Sequence, residues 1–195
     1  MEEIFRLQRQ LNVFTHKNIG RDYEETISHP EEKLIWIENY RKALSAELAE
    51  LIREVEEHGV GTQNGKIEII DMLHFLVSLS HIVGVEPHQI PPAAAVTKGD
   101  TFASCAIRTF LALDNLQNSL KWKWWAKGGG FKPDKAREAI LVLWQCFAEC
   151  CALFGLDIHT LKKIYIAKNQ VNFMRQDRHY NEDTKSEEDN QAIEI

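Results

Sequence analysis

The sequence lacks several patterns that would assign it to a common class of protein. Its four cysteines do not have the spacing of a disulfide framework or a zinc knuckle, and we expect no signal peptide at its start. No uninterrupted apolar run reaches the roughly 18 residues that a membrane helix needs. Both phosphate-loop motifs, G-x-x-x-x-G-K and G-x-G-x-x-G, are missing, so the glycines at 128–130 do not form such a loop. We expect buried free thiols, no membrane insertion and a cytoplasmic location.

Positive charge is also in short supply. The 23 lysines and arginines are outnumbered by 29 aspartates and glutamates, which gives a formal net charge of −6. This balance is too acidic for a protein that coats a nucleic-acid polymer. It is compatible with a small anion held by a few well-placed cations.

Strand-like alternation is missing throughout, whereas five segments have helical periodicity. A short amphipathic helix is predicted around residues 4–14, a long one from Pro30 until Gly59 stops it, and a third from about Lys66 to Gly84. The proline-rich stretch at 87–100 is predicted to be a linker, and two or three further helices fill 101–178. With 195 residues and 44% hydrophobic content, the chain can bury a real core. We predict an all-α fold, with one domain over 1–180 and a disordered acidic tail over 181–195.

An internal echo divides this domain into two similar halves, residues 30–85 and 101–156. The segment from Arg41 resembles the segment from Arg108, and the helix that ends at Gly84 resembles the helix that ends at Gly155. We therefore predict a helical bundle built from a duplicated helical hairpin. Four acidic residues of the first half align with Asp114, Gln117, Glu138 and Leu141 of the second half.

These four acids are the feature most in need of an explanation. Residues three apart share a helix face, so Glu47 projects with Glu50, and Glu68 projects with Asp71. An E-x-x-E pair alone is usually a solvated face. Glu68 and Asp71, however, lie in an otherwise apolar helix, where buried carboxylates would need a cation. Four converging carboxylates suit Mg²⁺, or Mn²⁺, better than zinc.

A histidine continues this polar stripe at His74, followed by Ser78 and His81. A lone histidine of this kind is more often a satisfied core residue than a ligand, although it could also line a ligand pocket. Asp71 and His74 give one acid-x-x-His pair of the type found in di-iron proteins. The second half provides no matching pair, so redox di-iron chemistry is the weaker hypothesis.

The last helix turns from apolar to cationic along one face. Its stripe starts at Leu161 and Tyr165 and continues at Lys168, Asn172 and Arg175. Cations near a helix end commonly just complement the helix dipole. Next to a magnesium site they would suit phosphate binding. The cluster of Trp122, Trp124 and Trp125 between lysines could stack a base, or it could cap a core or a subunit interface.

Three of these segments together resemble the all-α nucleoside triphosphate pyrophosphatases, in particular the branch of dimeric dUTPases and phage dCTPases/dUTPases. The motifs are "ELAE" at 47–50, "EIIDMLHF" at 68–75 and "YIAKNQVNFMRQD" at 165–177. The segment "LQRQLN" at 7–12 is similar to the opening helix of that family.

The resemblance implies a set of site residues. The magnesium ligands would be Glu47, Glu50, Glu68 and Asp71, with Glu47 and Glu50 also catalytic. The residues near the base and sugar would be Gln8, Asn12, His74 and Phe75. Sugar and phosphates would be held by Lys168, Asn169, Asn172, Arg175 and Gln176.

The expected function is Mg²⁺-dependent hydrolysis of a pyrimidine deoxynucleoside triphosphate, dUTP or dCTP, by a homodimer. Two alternatives stay open at this point. One is a broad-specificity house-cleaning pyrophosphatase of the MazG type. The other is a non-catalytic helical module whose acidic residues bind a basic partner.

Overall fold

The computed structural model describes residues 1–91 and 101–177, and this part of the chain contains α-helices and no strands. The predicted tail at 181–195 and most of the predicted linker lie outside the described residues. Before that gap the linker contains a short 3₁₀ turn, Pro87–Gln89. The helices are α1 (Glu2–Asn18), α2 (Tyr23–Ser28), α3 (Pro30–His58), α4 (Gln63–Val83), α5 (Phe102–Ser119), α6 (Pro133–Leu153) and α7 (Ile158–Asp177).

The all-α prediction is confirmed, and the predicted ends of α3 are accurate. Pro30 occupies the first turn, where its missing N–H costs no hydrogen bond, and Gly59 ends the helix with a positive φ of 83°. Two helix starts were not predicted. α4 begins at Gln63 because the Thr62 side chain accepts a hydrogen bond from the Gly65 N–H. The short helix α2 was missed, although Asp22 caps it in the same way.

Helix α4 lies at the centre of the described structure. It packs against α1, α3, α6 and α7, and it is buried over most of its length. Its apolar residues, such as Ile69, Ile70 and Leu73, are completely buried and supply much of the core. α3 pairs with α4 and α5 pairs with α6, so each half contains one helical hairpin. The origin of these hairpins by duplication stays a prediction, as does the single-domain boundary.

The four cysteines are free and buried, as expected from their spacing. Within the described residues no single helix is long and apolar enough to cross a membrane. Together, Pro133–Leu153 and Ile158–Asp177 would satisfy the requirement, but they are bent by 103° relative to each other.

Candidate active site

Three of the four predicted metal ligands converge where α3 faces α4. Glu47 and Glu50 are half-buried on α3, and Glu68 on α4 is 6% exposed. One carboxylate oxygen from each lies within 4.8 Å of the others. Like charges this close repel one another unless a cation neutralises them. The donor set consists of hard oxygen atoms alone, which fits a hard divalent cation such as Mg²⁺ or Mn²⁺.

The fourth predicted ligand, Asp71, lies outside this group of three. Its Oδ2 atom is 2.8 Å from the Nζ atom of Lys168 on α7, and the Lys168 side chain is only 2% exposed. A buried charge requires such a partner, because removing either one would leave the other uncompensated. The pair therefore joins the acidic face of α4 to the cationic face of α7. A role for Asp71 as a metal ligand stays a prediction.

A cavity of about 250 Å³ opens beside this ion pair, between α1, α3, α4 and α7. Most of the predicted site residues line it, whereas Glu50, Glu68 and Asn169 do not. Glu47 belongs both to the carboxylate group and to the cavity wall, so the candidate metal site adjoins the cavity. The predicted residues in the wall are Gln8, Asn12, Glu47, Asp71, His74, Phe75, Lys168, Asn172, Arg175 and Gln176.

The inner end of the cavity is built on a buried hydrogen-bond network. The Nε2 atom of Gln8 donates to Asn12 Oδ1 at 2.8 Å and to Ser78 Oγ at 3.1 Å. Its Oε1 atom accepts from the Tyr165 hydroxyl at 2.7 Å and lies 2.6 Å from His74 Nδ1. These residues come from α1, α4 and α7, so the network fixes the relative positions of three cavity-lining helices.

The cavity wall has both neutral polar groups and charged groups. Burial, assisted by the charge of Lys168, lowers the pKa of His74 to about 3, so the ring is neutral near pH 7. Burial also raises the pKa of Tyr165 well above its usual value. The inner end is thus polar but uncharged. The same cavity wall also has the cations Lys168 and Arg175 and the carboxylates of Glu47 and Asp71, of which Lys168 is buried. Such a combination suits a ligand with a neutral ring and a charged phosphate chain.

Several cavity residues were not predicted. Trp36 and Tyr40 bring aromatic surface from α3, and Leu11, Thr15 and Ser78 complete the wall. A usable signal was present in α3, because residues 36, 40 and 47 recur at helical spacing and therefore share the face that has Glu47. The buried Asn169 was predicted to bind ligand, yet it lies outside the cavity wall. Its predicted role stays a prediction.

The tryptophan cluster lies outside the cavity wall. Trp124 is 79% exposed and Trp125 is 67% exposed, so neither residue caps the core. Trp122 Nε1 donates a hydrogen bond to Asn118 Oδ1 at 3.1 Å, which attaches the cluster to the end of α5. Base stacking and a subunit interface both stay open for these residues.

A family model described as dUTPase matches residues 1–180, nearly the whole chain. Searches of curated proteins and of solved structures found no match.

Proposed function

Since this chain belongs to the dUTPase family and is a dUTP diphosphatase-like hydrolase, we propose that it hydrolyses dUTP, or dCTP, with Mg²⁺. The products would be the nucleoside monophosphate and pyrophosphate. The main supporting observation is the position of Glu47, which joins the three-carboxylate group to a cavity containing Lys168 and Arg175. A nucleotide could therefore place its phosphates beside the acidic group and its nucleoside in the neutral inner end.

The roles of the residues follow from their chemistry. Glu47, Glu50 and Glu68 would hold the cation, and Asp71 would join them as the family resemblance implies. A divalent cation there would neutralise phosphate charge and lower the pKa of the attacking water. Glu50 would orient that water or accept its proton as it attacks the α-phosphorus. Lys168 and Arg175 would stabilise the charge of the leaving pyrophosphate.

The other predicted contacts concern binding. Asn172 and Gln176, on the cavity face of α7, would hold the sugar and phosphates together with Asn169. Gln8, Asn12, His74 and Phe75 would surround the base and sugar. Orientation by such contacts converts a slow encounter into a positioned reaction.

We also propose a homodimer. The family implies an oligomer, and α5 leaves Ile107, Phe110 and Leu111 more than half exposed on one face. Exposed apolar clusters of this kind are typical of protein interfaces.

The experiment that tests the function is an incubation with Mg²⁺ and each common dNTP or dUTP in turn, with products separated by chromatography and EDTA as the control. We expect EDTA-sensitive release of dUMP or dCMP together with pyrophosphate. Similar rates on many nucleotides would instead indicate a broad-specificity pyrophosphatase of the MazG type. No hydrolysis across the panel would contradict the proposal.

A further inference from the structure

One ring atom of His74 is buried in the cavity wall without a hydrogen bond. His74 is 4% exposed, and its Nε2 atom has no hydrogen-bond partner within the described part of the chain. Buried polar atoms in folded proteins are nearly always hydrogen-bonded, so this atom calls for a partner. Whether that partner must be a donor or an acceptor depends on which ring nitrogen carries the proton.

The hydrogen-bond network answers this question, starting from a backbone carbonyl whose role cannot change. The Ser78 hydroxyl donates to the carbonyl oxygen of His74 at 2.8 Å, a bond that serine often makes to the preceding helical turn. A hydroxyl has a single proton. Asn12 Oδ1, at 3.2 Å, is a second acceptor within reach of this proton, but the bond to the carbonyl oxygen is shorter by 0.4 Å and is the one we assign. With the proton on the carbonyl, Ser78 Oγ accepts from its other neighbours, as it does from Asn12 Nδ2 at 3.1 Å.

The second step fixes the orientation of Gln8. Its amide lies 3.1 Å from Ser78 Oγ, so the group that faces the serine must be the Nε2 donor. The same Nε2 donates to Asn12 Oδ1. A flipped amide would place the Gln8 carbonyl oxygen against an oxygen without an available proton. The Oε1 atom therefore points towards Tyr165 and His74.

The third step fixes the proton on the imidazole. His74 Nδ1 lies 2.6 Å from Gln8 Oε1, which can only accept, so Nδ1 must carry the proton. The ring stacks on Tyr165, with centroids 4.5 Å apart, and this contact holds it in position. Burial lowers the pKa of His74, so the second nitrogen is not protonated at neutral pH. Nε2 is consequently a hydrogen-bond acceptor.

From this geometry we propose that His74 Nε2 accepts a hydrogen bond from an N–H or O–H donor on the nucleoside half of the substrate. Gln8 is then a positioning residue, which sets the tautomer of His74. This inference rests on the proposed function for the nature of the ligand. The tautomer is a property of the protein alone.

The tautomer of His74 determines which of these residues can form hydrogen bonds with the substrate. Both donors and both lone pairs of Gln8 are used within the protein, so Gln8 has no hydrogen-bonding capacity left for a ligand. His74 Nε2 is an acceptor, and the donors available to it are the N3–H of a uracil ring, the N4 amino group of a cytosine ring and the sugar 3′-hydroxyl. If Nε2 faces the N3 position of the base, uracil donates to it, whereas cytosine has an acceptor at N3 that would repel it.

The tautomer can be tested directly by NMR without nucleotide. Two-bond ¹H–¹⁵N correlation spectra of protein labelled with ¹⁵N-histidine distinguish a protonated from an unprotonated ring nitrogen. The chain has eight histidines, so the His74 signals are assigned by their loss in His74→Asn. We expect an Nδ1–H ring with unprotonated Nε2 near pH 7. A ring protonated on Nε2 would overturn the inference.

The positioning role of Gln8 has its own signature. Gln8→Leu removes the acceptor that holds the proton on Nδ1, so His74 should become a mixture of tautomers. A structural role alone would leave the tautomer unchanged, and that result would contradict the assignment of Gln8. The matched control is His81→Gln, because His81 is another histidine of α4 but lies outside the cavity wall and packs against Phe5.

The ligand half of the inference is tested with Mg²⁺ and the non-hydrolysable analogue α,β-imido-dUTP. Binding should shift the Nε2 resonance, and His74→Asn, which keeps a donor for Gln8 but loses the acceptor, should weaken binding about tenfold. His81→Gln should bind as the unaltered protein does. Weaker binding of the N3-methyl analogue would identify the base as the donor, and weaker binding of the 3′-deoxy analogue would identify the sugar.

The outcomes separate this inference from the proposed function. If the analogue binds while the Nε2 resonance is unmoved, the inference is wrong and the proposed function stands. If no nucleotide binds at all, the proposed function and the ligand assignment both fail. Full affinity of both modified analogues would likewise overturn the ligand assignment.

Discussion

At the scale of single residues, the carboxylates of Glu47, Glu50 and Glu68 converge where α3 faces α4. Replacing Glu68 by Gln keeps its shape and removes one of three like charges within 4.8 Å. The Glu68→Gln variant should no longer be stabilised by Mg²⁺. Its turnover should fall by at least about 100-fold. Urea unfolding with and without Mg²⁺, and the nucleotide assay, check these expectations.

The second half of the chain provides the control for that experiment. Glu138 aligns with Glu68 in the internal echo, but it is exposed on α6. Glu138→Gln should therefore leave stability, the Mg²⁺ response and turnover unchanged. Normal turnover in Glu68→Gln would rule out the metal site.

His74 gives the protein a specific dependence on pH. Its pKa is about 3 in the fold and about 6.5 in an unfolded chain, so below pH 6.5 the unfolded state binds a proton that the folded state does not. The contribution of His74 to the free energy of unfolding is therefore fully present above pH 6.5 and is lost as the pH falls towards 3. From pH 7 to pH 5 this residue alone should cost about 2 kcal/mol.

The measurement is urea unfolding at the two pH values. His74→Asn cannot titrate, so its stability should fall by about 2 kcal/mol less than that of the unaltered protein over this interval. An equal loss in both proteins would show that His74 is not a buried neutral histidine.

At the scale of helices, the end of α4 determines how the central helix leads into the loop after it. Gly84 adopts a left-handed conformation, with φ 73° and ψ 37°. An added Cβ would meet the Arg137 guanidinium at 3.8 Å, an ordinary contact, so Gly84→Ala should act through backbone strain alone. We expect a loss of about 1–2 kcal/mol in free energy of unfolding, measured with urea.

Gly130 is a suitable control for this substitution. It lies in the loop before α6, has no positive φ, and an added Cβ would meet nothing within 4 Å. Gly130→Ala should change the free energy of unfolding by less than about 0.5 kcal/mol in either direction, which is the ordinary range for a surface position. A similar loss in both variants would show that the conformation of Gly84 is not the cause.

At the scale of the whole molecule, the proposed homodimer makes a prediction about mass. Sedimentation equilibrium should give twice the 22.5 kDa of one chain at micromolar concentration. The exposed apolar residues of α5 provide the physical reason, since burying them against a second copy removes them from water. A single species with the mass of one chain would contradict the homodimer.

The all-α fold and most of the candidate site could be read from spacing along the chain. A helix repeats every 3.6 residues, so residues 47 and 50, and 68 and 74, were assigned to faces without any structure. The sequence motifs predicted ten of the residues that line the cavity. Local chemistry also placed both ends of α3, because Pro30 and Gly59 act on the backbone directly beside them.

The remaining properties arise from contacts between distant parts of the chain. The pairing of Asp71 with Lys168, the aromatic wall from Trp36 and the protonation state of His74 each depend on how separate helices pack. Side-chain spacing determines the face of a helix, but it does not determine which other helix that face meets. Burial and hydrogen-bond partners exist only after packing, so the sequence indicated the chemistry available here, and the tertiary structure decided which atoms are free to use it.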